Sequence, residues 1–275
     1  MSNSGNASFI AVKVDRPTQV NRLTNDKHSK ENPMCLQAKK RPLRPRFPLA
    51  GSVGIVLLIA VSTPVSAEKV TLGFGDAKSN GNTIPEGWQV LGNPRARQPE
   101  FIVEEDDDQG TVLRLHAQGN ESDGIHRAVN VDLSKTPFIN FSWKVENHPN
   151  GQIGTSRDDQ AVQVQLNFGR HGLRRRILSY GFDAKARAGR WYDDSSFVAV
   201  NRVLVLNSGE ENLGKWLSHS RNVVEDYQKS YRTNPPRLRN VSIFCDSNDS
   251  HSESVGYCGE ITFSDKPLSE SNPSE

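Results

Sequence analysis

The chain has 275 residues, of which 35% are hydrophobic, 24% charged and 7% aromatic, with 21 Gly and 15 Pro. This fits one globular domain with tails, since single domains commonly run to about 250 residues, and it excludes collagen-like, coiled-coil and multi-pass membrane chains, whose compositional excesses are absent. The formal charge of +2 averages two unlike regions: residues 1–67 hold ten Lys or Arg against three Asp or Glu, which leaves 24 against 29 downstream. The body is therefore acidic and reads as lacking the basic stripe with which a nucleic-acid-binding domain neutralises phosphates.

The first element is at residues 34–67. Lys39, Lys40, Arg41, Arg44 and Arg46 form a cationic cluster, 47–61 is uncharged and mostly apolar, and Val65-Ser66-Ala67 follows as a small-residue cleavage site. This is the order of a secretory signal peptide, in which the cations stay inside while the apolar segment enters the translocon. A single membrane anchor is the alternative, because 47–67 is an uncharged stretch and about 20 apolar residues span a bilayer. Ser62, Thr63, Pro64 and Ser66 make its end polar, small and helix-breaking, which favours cleavage before Glu68. Residues 1–33 are polar, lack periodicity and end at Asn32-Pro33 before Met34, so they read as disordered or as a mis-assigned start. Cys35 lies ahead of the apolar stretch, so no lipobox is formed. The expected localisation is periplasmic or extracellular, with membrane contact only if 47–67 stays uncleaved.

From Glu68 onward the dominant period is two. Apolar runs at 70–74, 88–91, 101–103, 111–116 and 124–131 precede two cleaner alternations. Ile139, Phe141, Trp143 and Val145 alternate with Asn140, Ser142, Lys144 and Glu146; Val162, Val164, Leu166 and Phe168 alternate with Gln163, Gln165 and Asn167. Such a pattern puts one face in a core and the other in water or a binding groove. Runs at 176–182, 197–206, 237–245 and 257–263 complete the set, and about eleven short strands broken by Gly, Pro, Asn and Asp read as a β-sandwich or barrel. Only 220–231 reads as helix: Val223, Val224, Tyr227 and Tyr231 share a face, and Pro235-Pro236 stops the chain after it. The tail 267–275 reads as disordered.

Cys245 and Cys258 sit on the last two runs. An oxidising compartment permits a bridge between them, closing a loop of about 14 residues worth about 3 kcal/mol. Two separate buried thiols are the alternative, and parity favours it: Val241, Ile243 and Cys245 share a face, whereas Tyr257, Ile261 and Phe263 leave Cys258 out unless a bulge near Gly259 intervenes.

The second half carries a recognisable order. Ile139 to Val145 surrounds Trp143, then come Arg157-Asp158-Asp159-Gln160-Ala161, Ser179-Tyr180-Gly181-Phe182, Arg202 through Ser208-Gly209, and Trp216. Asn222 with Asp226-Tyr227, Pro235-Pro236, and Asp246-Ser247-Asn248-Asp249-Ser250 complete it. This order resembles the bacterial domain-of-unknown-function family 3047 over 69–263, with Phe182 where that family tends to have Trp and Ser250 where it tends to have Thr. The resemblance implies an exported jelly-roll β-sandwich with no assigned reaction, and it implies no catalytic residues. The expected fold is all-β, an antiparallel jelly-roll-like β-sandwich with one short helix near 220–231.

Arg157, Asp158 and Asp159 precede the clearest strand, where sandwich loops present functional groups. Adjacent carboxylates on extended chain point in opposite directions, so they form no catalytic pair. A glycosidase needs a second carboxylate about 5–9.5 Å away, a place for Asp226 or Glu225 only if the fold brings them there; otherwise the triplet is an Arg–Asp network holding a loop. Asp246, Asn248 and Asp249 form an oxygen-rich turn that is a candidate for structural Ca²⁺, which takes about six to eight oxygen ligands. The EF-hand places for Gly and Glu hold His251 and Tyr257, and an Asx-turn is the plainer reading. The acidic run 104–108 reads as a solvated hairpin loop. The histidines are scattered without zinc-site spacing, and no nucleophile elbow, P-loop or dinucleotide fingerprint occurs.

Trp191-Tyr192, in a polar connection, offers aromatic faces for sugar C–H surfaces, and Asn140, Gln163, Gln165 and Asn167 offer amides for hydroxyls along a solvated face. The plainer alternative is that Trp143 is core by parity and the amides are ordinary outward residues. The expectation is a secreted, non-catalytic carbohydrate-binding β-sandwich that engages a glycan or cell-envelope polysaccharide, not nucleic acid, through Trp191, Tyr192, Asp159, Arg157 and Asp226, with no cofactor beyond that Ca²⁺. A glycan-cleaving hydrolase or lyase on the same fold and a structural envelope protein are the alternatives, and whether Asp159, Asp226 and Trp191 share one cleft discriminates among them.

Overall fold

The computed structural model describes residues 69–75, 84–92 and 98–268. The expected start at 1–33, the signal segment 34–67 and the tail from 269 lie outside the described residues. β1 (Val70–Leu72), β2 (Gln89–Val90), β3 (Glu100–Asp106), β4 (Gly110–Gln118), β5 (Ser122–Ala128) and β6 (Phe138–Asn147) form the first half. β7 (Val162–His171), β8 (Arg174–Asp183), β9 (Trp191–Asp193), β10 (Ala199–Ser208) and β11 (Leu217–Asn222) lead into helix α1 (Val223–Tyr231). β12 (Asn240–Asp246), β13 (Glu253–Cys258) and β14 (Ile261–Ser264) close the fold.

The strands make two sheets of a jelly-roll-like sandwich. The first runs β1, β14, β6, β13, β4, β3, with β11 on the other edge of β6; the second runs β2, β5, β12, β7, β8, β10, β9. Pairing is antiparallel except that β8 and β10 run parallel. That pair departs from the expected pattern, and its cause is the connection 184–198, long enough to carry the chain back and to lay β9 antiparallel on the far edge of β10.

Period-two alternation fills the space between the sheets. Ile139, Phe141, Trp143 and Val145 from β6 meet Val162, Val164, Leu166 and Phe168 from β7, all buried in one cluster. Trp143 Nε1 donates to Asn207 Oδ1 at 2.8 Å, and His219 Nε2 approaches the same oxygen at 2.6 Å, so the indole's polar end is satisfied within the core. The helix is shorter than the period suggests, because Leu217–Asn222 pairs with β6 as a strand instead. It starts where the Asn222 side chain accepts the amides of Val224 and Glu225, and it ends at Arg232 in the left-handed conformation, φ 59°. Among the described residues no helix is long and apolar enough to cross a membrane.

The expected bridge is not formed: Cys245 and Cys258 are free, fully buried thiols. β12 and β13 belong to opposite sheets, and both thiols lie unpaired in the core between them. The parity problem dissolves because the chain breaks at Gly259 and Glu260 between β13 and β14, so Cys258, Ile261 and Phe263 all face the core. Burial pushes both thiols up, away from the reactive thiolate. A thiol reagent is therefore expected to leave both cysteines unmodified in the native protein and to label both after denaturation; a native protein with neither thiol titratable even when denatured would reinstate the bridge.

Candidate functional site

The outward face of the second sheet is unusual in being polar at its centre. Cross-strand register places Gly124, Phe244, Gln163 and Gly181 in one row. His126, Ser242, Gln165, Ser179, Val203 and Tyr192 form the next, and Asn240, Asn167, Ile177 and Asn201 the third. Phe244 is the only aromatic residue in the first row, and its cross-strand neighbour is a glycine. A Cβ at Gly124 would stand 2.5 Å from the Ile243 carbonyl oxygen and 3.1 Å from Phe244 Cδ2, so only glycine fits beside this backbone and ring. An open groove of about 360 Å³ runs over this face, floored by Gln165, Asn167, Ser242 and Phe244, with Arg175 and Ile177 at one side. Asp123, 5% exposed, closes the other side by holding the Gly92 amide at 2.9 Å and Gln98 Nε2 at 3.1 Å.

The amides of this face form a directed chain. Asp158 Oδ1 accepts from Gln160 Nε2 at 2.7 Å, Gln160 Oε1 accepts from Gln163 Nε2, and Gln163 Oε1 accepts from Gln165 Nε2 at 3.1 Å. Asp158 accepts at one end, and each amide donates toward it in turn. Gln165, at the other end of the chain, lines the groove with its amide held by Gln163. A second, shorter chain runs from Ser179 Oγ to Asn201 Oδ1 at 2.7 Å and from Asn201 Nδ2 to Asp194 Oδ2 at 2.9 Å.

The expected ligand residues do not share one cleft. Trp191 stands in register with Leu204, which pairs with Tyr180, which pairs with Val164. That row faces the core, and Trp191 packs against the main buried cluster. Tyr192, one residue on, takes the opposite face and packs with Ile153, Ala186, Val203 and Val205 under the loop 151–157. Neither ring is an open platform. Asp226, 1% exposed, faces inward, where Arg221 Nε and Nη2 donate to it at 2.9 and 2.7 Å and the Tyr180 hydroxyl donates at 3.1 Å. Arg157 is exposed on the loop, its carbonyl accepting the Gln152 amide at 2.7 Å. Asn140 lies on β6 of the first sheet, so it is not a neighbour of Gln163, Gln165 and Asn167.

Asp159 explains the oxygen-rich turn. Fully buried, it accepts the backbone amides of Asp249 at 3.0 Å and Ser250 at 2.6 Å, so the turn wraps an anion. Asp246 bonds the Asp159 side chain, and its Oδ1 accepts the Asn248 amide at 3.2 Å as an Asx-turn does. Burial, reinforced by the Asp159 charge, pushes the Asp246 carboxyl up to about 8. Asp159 is spent on the amides of Asp249 and Ser250 and Asp246 on that of Asn248, and among the described residues no group of three or more His, Cys, Asp and Glu is arranged to hold a metal.

Sequence reasoning missed Phe244, Ser242 and Arg175, which line the groove. The signal was present for Phe244, which stands at outward parity between Ile243 and Cys245 and beyond Ser242. A larger groove, about 640 Å³, lies between residues 130–135 and 234–238. Its polar groups are already paired, Arg237 Nη2 to Asn130 Oδ1 at 2.8 Å and Ser134 Oγ to Asp132 Oδ1 at 2.7 Å, which leaves little to orient a ligand.

The family described as protein of unknown function (DUF3047) matches residues 86–262. No curated protein matches the chain in sequence. Among solved structures, the family 11 carbohydrate-binding module of the cellulosomal cellulase Lic26A-Cel5E of Clostridium thermocellum is similar at 10% identity and TM-score 0.37, covering 72% of this chain and 95% of that one. Trichoderma harzianum endoglucanase 3, from family GH12, is similar at 8% identity and TM-score 0.40, over 72% and 98%. The family 29 carbohydrate-binding module CBM29_1 of Piromyces equi is similar at 15% identity and TM-score 0.32, over 74% and 93%.

Proposed function

We propose, for a chain that belongs to the DUF3047 family, that the described domain is an exported, non-catalytic carbohydrate-binding module whose ligand lies on the outward face of the second sheet. The observation that carries this reading is the Phe244 ring on the lining of the groove, beside Gly124, with the amides of Gln165 and Asn167 and the Ser242 hydroxyl next to it. A flat apolar ring accepts the C–H face of a sugar, and fixed amides and hydroxyls bond its hydroxyl groups without the desolvation cost of charge. Arg175 on one side of the groove and Asp123 on the other balance in formal charge around neutral amides and hydroxyls, so the ligand is a neutral polysaccharide. Catalysis is not assigned, because Asp159, Asp226 and Asp123, the buried carboxylates nearest in role, are each consumed by structural donors. The order of residues 39–67 supports export.

A panel of neutral glucans, mannans, xylans and galactans tests this. Phe244→Ala is expected to weaken binding about tenfold, since removing one stacked ring exposes apolar area worth roughly 25 cal/mol per Å², while the unfolding midpoint moves little because the ring sits outside the core. Unchanged affinity in this variant would sink the assignment of the face. Release of new reducing ends from any of these polymers would favour the hydrolase reading instead.

A further inference from the structure

One end of the second sheet carries a feature beyond the glycan groove, which it meets only at Arg175. His171 pairs with Arg174 across a two-residue turn, and Gly172 has φ 64°, as the first position of a type II′ hairpin requires. The turn thrusts Leu173 outward, 94% exposed. Beside it stand Phe197, 95% exposed, and Val198, 55% exposed. The two tips are one patch, because the Arg175 amide donates to the Val198 carbonyl at 2.9 Å and Arg175 is in register with Ala199. Single exposed apolar residues are ordinary, but large side chains this bare and this close mark an interaction surface.

Cations surround the patch. Arg170, His171, Arg174 and Arg175 are all exposed, with Arg170 opposite Arg175 and His171 opposite Arg174. Like charges placed directly across a strand pair destabilise it, and among the described residues no carboxylate bridges these three arginines. Arg176 turns away, donating to the Tyr227 hydroxyl and Thr233 at 3.1 Å each. The net acidity of the body thus conceals a local cationic collar, and the expectation of no basic run needs correction at 170–175.

We infer that this tip docks on an anionic phospholipid surface, the guanidinium groups on phosphates and Leu173 and Phe197 at the boundary between headgroups and acyl chains. Arginine matches phosphate geometry, and apolar tips flanked by cations suit that boundary. A nucleic acid or an anionic polysaccharide would use the arginines but offer Leu173 nothing to enter. The inference stands independently of the glycan reading.

The test is flotation of the expected exported form, which starts at Glu68, with vesicles of phosphatidylcholine mixed with phosphatidylglycerol, and with vesicles of phosphatidylcholine alone. Without residues 47–67, partition reports on the tip. Leu173→Ser with Phe197→Ser is expected to lower partition onto the mixed vesicles at least about tenfold, from the apolar area no longer buried. Arg170→Gln with Arg174→Gln is expected to lower it too, as added salt does for the wild type. Glycan affinity should be unchanged in both variants. If the serine variant partitions like the wild type, the inference fails; if only the arginine variant loses binding, the tip is a site for a soluble polyanion and the lipid assignment is overturned.

Discussion

Asp226→Ala is expected to destabilise the domain by about 3 kcal/mol, because it removes the shared acceptor of a half-buried guanidinium and a fully buried hydroxyl. The carboxylate is 1% exposed and takes two bonds from Arg221 and one from the Tyr180 hydroxyl. All three donors lose their acceptor together, and Tyr180, itself fully buried, finds no water in its place. At about 2–4 °C per kcal/mol for a domain of this size, the midpoint should drop by roughly 6–12 °C. Urea unfolding gives the magnitude, and glycan affinity measured well below the midpoint gives the contrast: it should equal that of the wild type. A variant as stable as the parent but unable to bind or turn over a polysaccharide would return Asp226 to the ligand site.

Buried carboxylates such as Asp226 and Asp159 look alike in sequence to catalytic acids, since both meet donors far away along the chain. Tyr180 is 46 residues from Asp226, and the Ser250 amide is 91 from Asp159. Local pattern reports neither. It does report alternation, and the inward rows of β6 and β7 follow it residue for residue. What alternation cannot report is the sheet that each strand joins: Asn140 and Gln163 have the same outward parity, yet they stand on opposite sides of the sandwich. Trp191 and Tyr192 show the same gap at one step, because the register with Leu204 and Val203, set by a long connection, decides which ring turns inward. Phe244 was legible only as an apolar residue at the wrong parity, and such a residue is more informative than a polar one at the right parity.

Stability is expected to fall as pH rises from about 6.5 to about 8, with Asp246 as the cause. Its carboxyl is neutral in the fold up to about 8 but ionises near 3.8 when unfolded. Between those values the native state holds a proton that the unfolded state has lost, so each rise in pH favours unfolding. At about 1.4 kcal/mol per pKa unit, and allowing for partial access to water, the loss is on the order of 3–5 kcal/mol when complete. His219 acts in the opposite sense lower down. Burial, with help from Arg221, holds it neutral to about 4 against an ordinary 6.5, so its contribution is gained as pH rises through that window. The two trends oppose below about 6.5, and only the Asp246 trend persists above. Asp246→Asn keeps an oxygen for the Asn248 amide and offers Asp159 an N–H, as the protonated acid does. It is therefore expected to match the wild type near pH 4 and to exceed it by a few kcal/mol at high pH. Urea unfolding of both proteins across that range gives a difference curve free of the other titrating groups. A flat curve would mean that Asp246 is ionised in the fold and that the turn holds two charges.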